Sequence, residues 1–137
     1  MKKINLAVTG CLGRMGQQII KSVKSNKKFR LVTVTENKKT NKKLQGLKIS
    51  KNNLEVFKKT NLIIDFTIPK CTMEILKIAL KLKKRVVIGT TGFTLKEENL
   101  IPFVLYLPLL DHKNLYFYIF LPLEQKATIH LLEVPQH

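Results

Sequence analysis

Three glycines at every third position, Gly10, Gly13 and Gly16, stand between two stretches of different periodicity, and no other feature restricts the fold as much. Ahead of them, Ile4-Asn5-Leu6-Ala7-Val8-Thr9 is a short apolar run ended by Gly10, the pattern of a strand covered on both faces in a parallel sheet. After them, Met15, Ile19, Ile20 and Val23 recur at helical spacing, with Gln17, Gln18, Lys21 and Lys24 on the opposite side, which predicts a helix running to about Asn26. Leu31-Val32-Thr33-Val34-Thr35 is β-branched and bounded by polar residues, so it predicts a second strand. Strand, glycine turn, helix and strand make a βαβ unit, whose crossover is right-handed in nearly all proteins.

The alternation then repeats. Leu62-Ile63-Ile64-Asp65-Phe66-Thr67 reads as a strand, Cys71 to Lys83 as a helix turning Ile75, Leu76, Ala79 and Leu80 inward, and Arg85-Val86-Val87-Ile88-Gly89 as another strand. Repetition of this kind predicts an α/β fold, a doubly wound parallel sheet. Between the two units, Asn37 to Asn53 is polar and lysine-rich and reads as a surface excursion, with a short helix or turn around Leu54 to Lys59 leading back to the sheet.

A length of 137 residues with 45% apolar content supports one ordinary domain and leaves no room for a second one of similar size. The formal charge of +16 would suit a nucleic-acid partner. Its make-up argues otherwise, since only Arg14, Arg30 and Arg85 carry the guanidinium fork that reads guanines and stacks on bases. The lysines lie in runs such as Lys38-Lys39-Thr40-Asn41-Lys42-Lys43, a solvated face, and no nucleic-acid partner is expected. The opening residues reach Gly10 too soon for a signal peptide, so a cytoplasmic location is expected, and Cys11 and Cys71 should be free thiols there. The most apolar region, Ile101 to Leu123, is cut by Asp111-His112-Lys113-Asn114 and by prolines, so no membrane span is expected either.

The glycines occupy the place where a dinucleotide fold turns its backbone tightly, lets a pyrophosphate approach, and offers amide groups at a helix amino terminus to its negative charge. Taken alone, the G-x-x-G-x-x-G spacing is also that of a plain strand-to-helix turn. Glu36, at the end of the second strand, stands where an acidic residue reaches the ribose hydroxyls of a dinucleotide. Lys38 and Lys39 follow closely, either to meet the extra phosphate of NADP or as members of the lysine-rich loop. Asp65-Phe66-Thr67-Ile68-Pro69 and Gly89-Thr90-Thr91-Gly92-Phe93 both lie at carboxyl ends of strands, the edge where ligands bind in open α/β sheets, and they are placed for the nicotinamide end of a cofactor.

Gly10-x-x-Gly-Arg-Met-Gly16, Glu36, Ile-Asp-Phe-Thr at 64 to 67 and Ile-Gly-Thr-Thr-Gly-Phe at 88 to 93 together resemble dihydrodipicolinate reductase, in order and in spacing, over about residues 3 to 101. The resemblance implies a Rossmann-like domain and a reductase that moves a hydride from NADH or NADPH to the product of dihydrodipicolinate synthase, in lysine and diaminopimelate synthesis. It further implies that Gly10, Cys11, Leu12, Gly13, Arg14 and Met15 hold the pyrophosphate, Glu36 the adenosine ribose, and Gly89, Thr90 and Thr91 the nicotinamide region. The family often has a basic residue after the acidic one. Here it is Asn37, which leaves the choice between NADH and NADPH open.

Beyond Ile101 the resemblance ends. The family's nicotinamide-covering segment, its His-His-x-x-Lys motif and its Pro-Ser-Gly-Thr-like loop are not found, and His112, His130 and His137 stand apart from one another. No catalytic residue and no metal ligand is therefore assigned. Composition changes at the same place, because after residue 101 the only basic side chains are Lys113 and Lys126, against Asp111, Glu124 and Glu133. The expectation is a dinucleotide-binding domain over 1–101 and an unmatched tail over 102–137, frameshifted or degraded, that adds no strand to the sheet. The family's tetramer is not expected without the second domain. A nicotinamide-nucleotide-binding module without catalysis is the alternative to a reductase.

Overall fold

A computed structural model of the protein describes residues 2–90, 92–97 and 117–119. Ile4–Thr9 forms β1, Arg14–Lys24 α1 and Phe29–Thr35 β2, so the first βαβ unit falls where the sequence places it. Leu54–Phe57 forms the short helix α2, capped by the Asn53 side chain, which accepts from the Val56 N–H at 3.1 Å. Leu62–Asp65 forms β5, Pro69–Leu82 α3 and Arg85–Ile88 β6, while β3 (Lys43–Leu44) and β4 (Leu47–Ser50) precede α2 in the chain. Proline at the first position of α3 gives up an N–H that has no helical partner there, and left-handed Lys83 ends the helix, its N–H donating back to Ala79 and Leu80.

Among the described residues seven strands form one sheet in the order β3-β4-β2-β1-β5-β6-β7, where β7 is Phe117–Ile119. Every pairing is parallel except β3 with β4. Without the β3 hairpin strand, the six parallel strands follow the 3-2-1-4-5-6 order of doubly wound dinucleotide folds. The chain leaves β1 toward β2 on one side and returns to β5 on the other, so the order reverses between β1 and β5, and the glycine turn opens there.

Two expectations are corrected. The 37–53 excursion holds the β3–β4 hairpin, and β4 pairs with β2 through Val34 with Ile49 and Thr35 with Ser50. Its turn uses positive φ at Gln45 (48°) and Gly46 (78°), the pair of left-handed residues that a tight hairpin needs. The tail does extend the sheet: Phe117, Tyr118 and Ile119 pair in parallel with Val86, Val87 and Ile88. Aromatic and β-branched residues suit a strand, and β6 would otherwise leave its outer backbone groups without a neighbouring strand.

Strand alternation divides the core. Leu6, Val8, Val34 and Ile49 pack with Ile20 under α1, while Ala7, Ile63, Val86 and Ile88 pack with Phe57, Ile75, Leu76 and Ala79 under α2 and α3. Among the described residues Phe57 is the largest fully buried side chain. Phe57→Ala should lower unfolding stability by about 3–5 kcal/mol, read from denaturant midpoints at unchanged slope, and a loss under about 1 kcal/mol would mean that α2 is not part of the core. Among the described residues no helix is long and apolar enough to cross a membrane.

Candidate functional site

The site grows from the way β1 stops. Gly10 adopts φ +66°, and a Cβ placed on it would lie 2.2 Å from the Phe66 carbonyl oxygen, so only glycine lets the turn pass the end of β5. The Gly10 carbonyl then accepts the Gly13 N–H at 3.1 Å, closing the turn. A Cβ on Gly16 would come within 2.1 Å of that same carbonyl oxygen, so this glycine lets α1 lie directly on the turn. Gly13 differs from both. Its backbone is ordinary for the residue before a helix, φ −72° and ψ 165°, and a Cβ there would meet only Gly10 oxygen at 3.3 Å.

The amides of the turn are unequally committed. Cys11 N–H donates to Thr35 carbonyl at 3.2 Å, and Leu12 N–H donates to Glu36 Oε1 at 2.7 Å. Gln17 is the first residue of α1 whose N–H reaches a carbonyl of the turn, that of Gly13 at 3.0 Å. The N–H groups of Arg14, Met15 and Gly16 therefore have no acceptor among the described residues, as expected for the opening of a helix. Together they form a cradle for an anion, backed by the positive end of the helix.

Glu36 stands beside that cradle. Its Oε1 is held by Leu12 N–H and its Oε2 accepts Asn37 N–H at 3.3 Å, while its own N–H donates to Ser50 on β4 at 3.0 Å. The structure thus brings the predicted acidic residue onto the predicted glycine turn. Asn37, Lys38 and Lys39 are exposed. Cys11 is fully buried, and burial first, then the Glu36 charge, pushes its thiol up to about 11, so its side chain neither reaches a ligand nor acts as a nucleophile at neutral pH. Burial likewise raises the Cys71 thiol, with Glu74 adding to it, and both cysteines are free.

The second half of the site is built on Asp65, at the end of β5 and fully buried. Its Oδ1 accepts from Thr9 Oγ1 at 2.6 Å and from Thr67 Oγ1 at 2.7 Å, and its Oδ2 accepts from Thr72 Oγ1 and from Thr90 Oγ1 at 3.2 Å. Thr90 also receives the Thr67 N–H at 2.9 Å. With its hydroxyl engaged and only 2% of its surface exposed, Thr90 can offer a ligand no more than its backbone. Gly89 donates its N–H to the Asp65 carbonyl at 2.8 Å and lies against the Phe66 ring, where a Cβ would meet Cε1 at 2.0 Å. Thr91 lies outside the described residues, as do His112, His130 and His137.

Sequence reasoning placed Gly89 and Thr90 at this edge but missed Asp65, Thr9 and Thr72 as a unit. The clue was register: Thr35 and Asp65 each pair with Thr9, so polar side chains end three adjacent parallel strands. Among the described residues no group of three or more His, Cys, Asp or Glu side chains could hold a metal ion.

The family model described as dihydrodipicolinate reductase, N-terminus, matches residues 4–104. A 4-hydroxy-tetrahydrodipicolinate reductase of Pelagibacter ubique (strain HTCC1062) is 62% identical over 116 residues, covering 84% of this chain and 45% of that protein. The alignment is longer than the 101 residues ahead of the change in composition. One from Wolbachia pipientis subsp. Culex pipiens (strain wPip) is 34% identical over 125 residues, covering 82% of this chain and 47% of that protein. The chain thus spans less than half the length of these relatives. Among solved structures, dipicolinate-bound dihydrodipicolinate reductase from Paenisporosarcina sp. TG-14 superposes with a TM-score of 0.68 at 24% identity, covering 87% of this chain and 47% of that one, a likeness of fold. With the glycine turn, Glu36 and the strand order in place, the match over residues 4–104 shows that this chain belongs to the dihydrodipicolinate reductase family and corresponds to its amino-terminal part.

Proposed function

We propose that this chain binds NADH or NADPH along the carboxyl edge of the sheet, as the cofactor-holding part of a reductase acting on the dihydrodipicolinate synthase product. The observation that carries the reading is the pairing of a free amide cradle at Arg14, Met15 and Gly16 with a Glu36 carboxylate held at its rim by Leu12. The bound nicotinamide would supply the hydride. The chain's own residues do the rest: the α1 amides meet the pyrophosphate, Glu36 accepts from the adenosine ribose hydroxyls, and the backbone of Gly89 and Thr90 fixes the height of the nicotinamide end. Residues fit the group because Gly10 and Gly16 let the turn close against β5 and α1, while exposed Gly13 puts no Cβ beside the free amides.

Residues 1–101 form the dinucleotide-binding domain in this reading, with β7 added to its sheet. No catalytic side chain is assigned within it, and the transfer to substrate belongs to the whole family protein. A cytoplasmic setting suits a small-molecule biosynthetic step, and the lysines are solvated cations rather than a nucleic-acid surface. Glu36 sets the choice of cofactor, since an anchored carboxylate welcomes ribose hydroxyls and repels a phosphate in their place. Titration of the purified chain should give NADH the higher affinity, and Glu36→Ala should weaken NADH by about tenfold while narrowing its lead over NADPH. Equal loss for both cofactors would remove Glu36 from the ribose, and no binding of either would end the dinucleotide reading.

A further inference from the structure

We propose that Asp65 is a positioning residue for the nicotinamide end of the cofactor, acting through Thr90 and Gly89 without touching the ligand itself. The inference rests on the dinucleotide reading above. A fully buried carboxylate is unfavourable unless it is completely hydrogen-bonded, and an apolar residue at this site would stabilise a core as well or better. What the carboxylate provides instead is a single geometry. An ionised carboxylate only accepts, at about four lone-pair sites, and each threonine hydroxyl has one proton to give. Thr9 and Thr67 fill Oδ1 while Thr72 and Thr90 fill Oδ2. One side chain thereby ties together the ends of β1, β5 and β6 and the first turn of α3.

Those bonds converge on the loop after β6. Asp65 takes the Thr90 hydroxyl with its side chain and the Gly89 N–H with its carbonyl, and Thr67, held by the same carboxylate, donates its N–H to Thr90 Oγ1. Thr72 Oγ1 lies 2.8 Å from Thr90 Oγ1, so its single proton goes either to Asp65 or to Thr90, and both arrangements tie α3 to this loop. The backbone of Gly89 and Thr90 is consequently fixed in height against the Phe66 ring, at the side of the crevice away from Glu36.

Asp65→Asn keeps the shape and reverses two of the four bonds. If the new amide group faces Thr9 and Thr67, those hydroxyls turn to the carbonyls of Ile64 at 3.3 Å and Ile68 at 3.4 Å, which preserves the fold but draws Thr67 from Thr90. If it faces Thr72 and Thr90, Thr90 itself must turn. Either way the loop moves while the glycine cradle and Glu36 stay.

The test compares NADH with ADP-ribose, which has the pyrophosphate and both riboses but no nicotinamide, on the full chain. Wild type should bind NADH more tightly than ADP-ribose. Asp65→Asn and Thr72→Val should each lose about tenfold in NADH affinity and keep ADP-ribose within about twofold, while Thr72→Ser should behave as wild type. Parallel loss of both ligands would reduce Asp65 to a structural residue and overturn the proposal, as would unchanged NADH binding in both variants. Wild type that gains nothing from the nicotinamide would overturn it too, whereas wild type binding neither ligand would fail at the dinucleotide reading itself. If Asp65→Asn does not fold, Thr72→Val against Thr72→Ser decides.

Discussion

Gly16→Ala should remove a large fraction of the stability of the fold. The added Cβ would sit 2.1 Å from Gly10 oxygen, 2.9 Å from Gly10 carbon and 3.0 Å from Cys11 Cα, all backbone atoms, so no side chain can rotate away to relieve the overlap. The only escape is for α1 to lift from the sheet, which uncovers Ile20 and the apolar cluster beneath it. A loss on the order of 3–5 kcal/mol is expected, a large fraction of the stability of an ordinary domain. Urea or thermal unfolding followed by circular dichroism measures it. A change below about 1 kcal/mol would mean that the helix does not rest on the turn.

Gly13→Val should do the opposite, keeping the fold and losing the ligand. Its φ and ψ suit any residue, its Cβ would press only on Gly10 oxygen at 3.3 Å, and Gly13 supplies no side-chain cap that could be lost. The branched side chain would stand on the exposed side of the turn, beside the amides of Arg14 and Met15, in the space a pyrophosphate needs. Affinity for NADH should fall by at least about a hundredfold, equivalent to ~2.7 kcal/mol, with the chain still folded and stability lower by about 1 kcal/mol, from the tight Gly10 contact and the poorer cap. Undiminished binding in a folded Gly13→Val chain would separate the cradle from the cofactor. Comparing the two glycine variants tests stability and binding one at a time.

The sequence presents these three glycines as equivalents, and geometry separates them. Spacing shows that the backbone must turn between β1 and α1, since that requirement is local and lies within seven residues. That Gly10 is the glycine pressed on β5 depends on Phe66, distant in sequence, and only the fold places the two together, whereas Gly13 and Gly16 meet atoms of the turn itself. Glu36 was legible because the length of a βαβ unit fixes where its second strand ends. Asp65 was visible as a residue and invisible as a centre, because Thr9, Thr72 and Thr90 reach it from three other elements.

The missed strands have different causes. In β4, Leu47-Lys48-Ile49-Ser50 alternates as a strand should and buries Ile49, yet four residues amid lysines and asparagines look like surface. In β7, the prolines and the acidic balance of the surrounding region drew the reading away from Phe117-Tyr118-Ile119, where aromatic and β-branched residues favour pairing. The doubly wound plan was recoverable without either, since the alternating apolar strands and amphipathic helices of its central strands repeat through Ile88.

The place of β1 in the middle of the sheet has a consequence for synthesis. Translation delivers β1 first, α1 and β2 soon after, but the strand that closes its other side contributes Asp65, 56 positions beyond Thr9. Until then a nascent chain on the ribosome has one side of β1 paired and the other open, an apolar strand with unsatisfied backbone groups and an affinity for any passing edge. The stretch emerging during that interval, from Lys38 to Lys59, is rich in lysine, with Glu55 its only acidic residue, and repels another copy of itself. Surface charge of this kind can thus keep neighbouring half-made chains apart while the sheet waits for its central partner.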